Sequence, residues 1–300
     1  MIEILSLVAL QAALAAVPIL LASIGEIVTE RSGVVNIGLE GILLLGALAA
    51  PLSVDFLRYR VGVSLPEPFW PLAALTCAAA VGALVGMLHG YISTYLAGSQ
   101  IISGVAINLF SAGLVAYGIE AYWGVAGYRP VPDWAKASPH VFVALAVALA
   151  VATWFILYKT RVGMAVRACG EDPEAAFNMG IDVNKMRLVS TVVGSVLTAI
   201  AGAYLSIAYL SVVTKDISAG RGFIALANVV FANWNPLLAP AGAFVFGFFD
   251  ALSYWIQTLA PGVRYEVTRM IPYLATLLIV AGVIGRAKPP RAVGKTFKKE

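Results

Sequence analysis

The sequence predicts an all-α fold, that of a polytopic integral membrane protein, and three observations carry the prediction. Sixty per cent of the 300 residues are hydrophobic and only 12% are charged, whereas about a quarter of the residues in soluble domains are charged. Mean hydropathy is +0.88, and the apolar residues gather in runs that approach the roughly 20 residues a helix needs to cross a hydrocarbon core. Lys and Arg concentrate in two places, the asymmetry that sets orientation in a bilayer. Backbone groups in lipid must be satisfied within their own segment, so such runs are helices, about 8–10 of them in a chain of this length.

In order, the runs cover residues 4–24, 34–57, 69–91, 101–123, 141–158, 188–210, 223–232, 236–259 and 271–284. Eight read as full spans. The run 223–232 is too short to cross alone and reads as a broken or re-entrant helix, tolerated where the freed backbone is buried in protein or lines a cavity. The first run has neither a basic leader nor a small-residue cleavage pattern, so it is expected to be a retained helix.

Charge orients the chain. The loop at about 159–187 and the tail at about 286–300 (RAKPPRAVGKTFKKE) are basic and are expected in the cytoplasm. Counting back puts the amino terminus and the loops 58–68 and 129–139 outside. The tail returns inside only if the short run 223–232 counts as a crossing. Arg58, Arg60, Arg129, Lys136, Lys215, Arg221, Arg264 and Arg269 then fall outside, against the trend. A single membrane domain over residues 1–300 is expected, multi-pass in the cell (plasma) membrane.

Gly82, Gly86 and Gly90 recur at four-residue spacing, which lets two helix backbones approach closely. Packing within the chain is favoured over a dimer face. In the basic loop, Asp172 can cap a helix, Pro173 suits its first position, Glu174 complements its dipole, and Gly180 can end it in the left-handed conformation. A surface helix over residues 173–179 follows. Ala175 and Ala176 keep one face small while Phe177 and Met179 offer apolar knobs, so the helix either docks in a partner's groove or merely turns the chain.

Composition and motifs also exclude. The basic charge follows topology, with no aromatic-interleaved patch for nucleic acid. Cys77 and Cys169 imply neither a disulfide framework nor a metal site. Gly294, Lys295 and Thr296 imitate a phosphate-binding loop, but Pro289 stands where its first glycine belongs. His89 and His140 have no catalytic partners in sequence, so the chain reads as a non-catalytic transport subunit rather than an enzyme.

Glu174, Ala175, Ala176 and Gly180 form the pattern E-A-A-x-x-x-G, which resembles the cytoplasmic coupling loop of ATP-binding-cassette (ABC) importer permeases, without the I-x-L-P ending of the longer form. The runs GEIVTERSGVVNIGLEGILLLGA (residues 25–47), QIISGVAINLF (100–110) and SAGRGFIALANVVFANWNP (218–236) are similar to the branched-chain amino acid and simple-sugar permease family, nearest its nucleoside-type, basic membrane lipoprotein-associated members. The resemblance implies import of nucleosides or related small polar solutes, with sugars a further class. It also implies two ABC ATPase domains docked on the loop around Asp172, Pro173, Glu174, Ala175, Ala176, Phe177 and Gly180, and a second, related permease in a heterodimer. An extracytoplasmic solute-binding lipoprotein completes the set. This chain would bind no cofactor, with ATP and Mg held on the partner ATPase.

The family does not say which residues touch solute, so polar groups at membrane depth are weighed physically, since each is expensive there. Asn36 and Glu40 share a helix face deep in an apolar run and are pathway candidates. Glu26 and Glu30, also four apart, flank a turn at Arg31 and Gly33 that either meets water or gates. Asn108 either hydrogen-bonds a neighbouring helix or contacts ligand. Asp250 has no Lys or Arg within a helical turn. Asn228 and Trp234, with Asn233 and Asn235, border the broken helix and could hydrogen-bond and stack on a solute, although Trp234 also suits an interface anchor. The rival readings are a secondary, ion- or proton-coupled transporter acting through Asp250 or Glu40 without ATPase subunits, and a membrane-embedded enzyme.

Overall fold

The structure, a computed structural model, describes residues 2–125, 127–259, 262–283 and 287–297. The helices are α1 (Ile2–Arg31), α2 (Leu39–Asp55), α3 (Trp70–Thr94), α4 (Gln100–Trp123), α5 (Pro139–Lys159), α6 (Arg161–Glu171), α7 (Pro173–Asn178), α8 (Val183–Tyr204), α9 (Arg221–Phe231), α10 (Ala239–Leu259), α11 (Tyr265–Arg269) and α12 (Ile271–Val283). Each of the nine apolar runs is a helix. Seven, counting short continuations, are long and apolar enough to cross a membrane. Among the described residues α9 has 11 and α12 has 13; the expected span 271–284 runs into Ile284, which with Arg286 and the last three residues of the tail lies outside the described residues.

Burial ranks the helices. In α2 72% of the span is buried, and in α1 and α8 61%, against 22% in α3 and 28% in α4 and α5. Small residues bring the central helices together: a Cβ on Gly202 of α8 would collide with the Leu43 carbonyl of α2, and one on Gly194 with the Gly25 carbonyl of α1. The row on α3 works the same way inside the chain, as favoured from the sequence. Cβ atoms on Gly82 and Gly86 would meet Ser195 of α8 at 2.6 and 2.7 Å, and one on Gly90 would meet Leu188 at 2.7 Å.

Two ends are defined by side-chain ties. At one, β1 (Tyr128–Pro130) pairs antiparallel with β2 (Val212–Thr214), and Asp55 takes Trp123 Nε1 at 2.8 Å and Arg129 at 3.6 Å. The loops after α4 and α8 therefore share an end, as the charge argument placed them. At the other lie α6, α7 and the tail. The chain passes between these ends through α9: Arg221 meets Asp250 midway along α10, and Trp234, just past α9, meets Glu30 near the end of α1. The short helix thus completes the passage that the predicted orientation required. Arg221 is corrected from an outer loop charge to a buried one, 3% exposed.

Candidate functional site

Two regions gather the residues singled out from the sequence, a surface at the basic end and a buried polar layer at the starts of α2 and α9. The surface is built by local capping. Thr160 Oγ1 accepts the Gly163 N–H at 3.2 Å at the start of α6, Asp172 Oδ1 accepts the Ala175 N–H at 3.0 Å at the start of α7, and Asp182 Oδ1 accepts the Lys185 N–H at 3.0 Å at the start of α8. Pro173 occupies the first turn of α7 and Gly180 follows it at φ 85°, as the sequence predicted.

Sequence reasoning missed α6 altogether. Its signal was the Thr160 cap and a buried stripe of Gly163, Val166, Cys169 and Gly170, the three- and four-residue spacing of an amphipathic helix. Burial also pushes the Cys169 thiol up. Ala176 is buried with Cys169 and Val183, which anchors α7, while Phe177 leans on Phe297 of the tail at 5.9 Å between ring centroids. What faces outward is an open apolar groove lined by Met164, Ala165, Ala168, Ala175, Met179 and Ile181. Met164 is 61% and Met179 83% exposed, and Glu174, in the first turn of α7, is exposed as well.

The polar layer is a set of ties between the starts of two helices. Glu40, in the first turn of α2, caps α9: Oε1 accepts Gly220 N–H at 2.8 Å and the Ser218 hydroxyl at 2.5 Å, and Oε2 accepts Gly222 N–H at 2.8 Å. A carboxylate on three donors at a helix N-terminus is favoured by the macrodipole. Arg221 Nη2 then pairs with Asp250 Oδ2 at 2.6 Å, which corrects the picture of Asp250 as an unneutralised acid. Its partner comes from 29 residues away on another helix, beyond the reach of a same-helix argument.

The amides are tied as well. Asn108 Oδ1 accepts Gly41 N–H at 2.7 Å and its Nδ2 donates to Ile37 O at 3.0 Å, the helix-to-helix alternative left open from the sequence. Asn36 Oδ1 accepts Gly38 N–H at 2.9 Å, and the Asn36 N–H goes to Glu26 Oε1 at 2.7 Å. Asn228 Nδ2 donates to Ser23 Oγ at 2.8 Å and Ala239 O at 3.1 Å, while its Oδ1 has no partner among the described residues. Trp234 is buried and donates to Glu30, so it is no interface anchor. Between α9, α10 and α12 the Arg221–Asp250 pair borders a narrow polar cleft with Ser253, Tyr254, Gln257 and Tyr273. His89, buried between Ser103 and the Val35 carbonyl, is another tie.

The family profile described as "Branched-chain amino acid transport system / permease component" matches residues 8–282. The guanosine ABC transporter permease protein NupQ of Bacillus subtilis is 35% identical over 320 residues, spanning 99% of this chain and 98% of that protein. The nucleoside ABC transporter permease protein NupC of Lactococcus lactis is 30% identical, over 94% and 93% of the two chains. The putative glucose ABC transporter permease protein TsgC13 of Haloferax volcanii is 32% identical over 95% of this chain and 95% of its own.

Proposed function

The chain belongs to the family of branched-chain amino acid transport system permease components, and from that premise we propose that it carries nucleosides across the membrane as one half of a permease pair driven by ATPases docked on α6 and α7. It is a multi-pass plasma membrane protein, a non-catalytic permease subunit of an ABC importer, with ATP hydrolysed in a separate subunit. Guanosine and nucleoside permeases similar along their whole length support nucleosides as the solute class, and a glucose permease of comparable identity and coverage keeps sugars as a second class.

One observation supports the docking most directly: the apolar groove beside Met164 and Met179 lies at the basic end of the chain, outside every span. Apolar patches rimmed by charge on a surface are characteristic of protein contacts. Two ATPase domains, holding ATP and Mg, would approach that surface, with a second, related permease completing the pathway and an extracytoplasmic lipoprotein delivering solute. ATP binding draws the ATPases together and displaces α7, and the two access states exchange because nucleotide stabilises one over the other. Asn36, Glu40, Asn108, Asn228, Trp234 and Asp250 enter this scheme as the ties that hold α2 and α9 in register. A proton-coupled carrier needs a free acid, and Glu40 and Asp250 are both engaged.

The test is uptake of radiolabelled guanosine, uridine and glucose by the assembled transporter in proteoliposomes, with and without ATP inside. ATP-dependent guanosine or uridine uptake, lost in Glu174→Lys, is expected. Uptake that follows a proton gradient and ignores ATP would contradict the proposal.

A further inference from the structure

Arg187 is 1% exposed and makes no ion pair among the described residues. A buried cation is costly unless its donors are met. Here carbonyl oxygens from three segments meet it: Nε donates to Ser32 O at 3.1 Å, Nη2 to Cys169 O at 3.2 Å and Nη1 to Lys295 O at 2.8 Å. Ser32 lies just past α1 and Cys169 in the last turn of α6, ends where helix carbonyls carry partial negative charge. The planar guanidinium fixes the directions of these bonds. Gly33, at φ 101°, leaves room for the fork, and a Cβ there would strike Nη2.

The third carbonyl belongs to a strap. Within residues 287–297, Lys288 N–H reaches Asn233 Oδ1 beyond α9 at 2.8 Å, and Ala292 N–H reaches Gly170 O in α6 at 2.8 Å. Gly294 N–H reaches Gly33 O beyond α1 at 3.1 Å, and the Phe297 ring packs, tilted by 49°, against Phe177 of α7. Eleven residues therefore touch the ends of α1, α6 and α9, the body of α7 and the side chain that opens α8.

We infer that residues 287–297 and Arg187 form a clamp that makes α6, the end of α1 and the start of α8 one rigid unit, so that displacement of α7 by an ATPase passes into the membrane helices. Arg187 is its positioning residue. The inference rests on the docking proposed for α6 and α7. Slippage of α6 against α8 strands a buried guanidinium, so the joint transmits motion rather than absorbing it. Without the clamp, the ATPases still dock and hydrolyse, but the loop takes up their movement.

The test uses the assembled transporter in proteoliposomes, measuring ATP hydrolysed per guanosine imported and co-purification of the ATPases. Arg187→Lys keeps the charge but gathers its donors on one nitrogen, losing the planar fork that reaches Ser32, Cys169 and Lys295 separately, Phe297→Ala removes the ring, and a third variant ends at Ala287. Each is compared after gel filtration, and the two point variants carry the test if the shortened chain does not assemble. Retained ATPases with a rise of about five-fold or more in ATP per guanosine are expected. An unchanged ratio in both point variants overturns the clamp, whereas loss of ATPases from the wild-type preparation overturns the docking on which it rests.

Discussion

Replacing Asp250 with alanine strands a buried guanidinium. Arg221 Nη2 lies 2.6 Å from Asp250 Oδ2, and the two side chains are 3% and 16% exposed. Opposite charges about 4 Å apart attract by roughly 4 kcal/mol at an effective dielectric of about 20. Removing one partner of a buried pair costs about 3–5 kcal/mol. Among the described residues little else would hold Arg221, whose remaining hydrogen bonds are long ones to Ile217 O at 3.5 Å and Ser218 O at 3.4 Å, with Nε unpartnered there. At about 2–4 °C per kcal/mol for a chain approaching this size, the midpoint in detergent should fall by roughly 6–20 °C. Arg221→Met should lose a similar amount by stranding Asp250. The double variant Arg221→Met/Asp250→Ala removes both charges and should recover most of the loss, falling far short of the sum of the two single losses. Fluorescence-detected size exclusion after graded heating of the four proteins measures the cycle. Additive losses in the double variant, or a shift under about 2 °C in Asp250→Ala, would refute the reasoning.

Three further outcomes are expected. Glu40→Ala leaves Gly220 and Gly222 N–H without their acceptor at a helix N-terminus and should cost about 2–3 kcal/mol, read in the same thermal assay. Gly86→Leu drives a side chain into Ser195 and should lower the midpoint while leaving association with the second permease intact in whatever protein survives; selective loss of that association would make the glycine row a dimer face instead. Cys169 is buried and its thiol is pushed up, so at pH 8 it holds less thiolate than an ordinary cysteine. Maleimide should label it only after unfolding, and rapid labelling of the folded chain would place α6 elsewhere.

The helices were legible because the bilayer dictates a length and a composition that single runs display, and the shortness of 223–232 marked α9 as special. The caps of α7 were legible because Asp172 and the N–H it accepts from are three residues apart. The missing parts are non-local. Lys185 and Arg187 read as loop charges and set the start of α8 five residues late, at 188 rather than Val183, because nothing nearby announces that carbonyls from α6 and the tail will surround Arg187. Asp250 stood out as an acid at membrane depth, but its neutralising partner arrives only when α9 packs on α10. The same holds for Asn108, which was rightly singled out and whose two bonds to the start of α2 depend on how α4 lies against it. Phe177 was read as a knob for a partner, and the tail takes part of it first.

Affinity purification of the tagged chain from native membranes, with co-purified proteins identified by mass spectrometry, tests the central claim that α6 and α7 are a docking surface for ATPases. The intact chain should bring down an ABC ATPase, and Glu174→Lys and Gly180→Pro, the latter incompatible with φ 85°, should lose it while remaining folded. An intact chain that brings down no ATPase, or variants that keep it undiminished, would contradict the account.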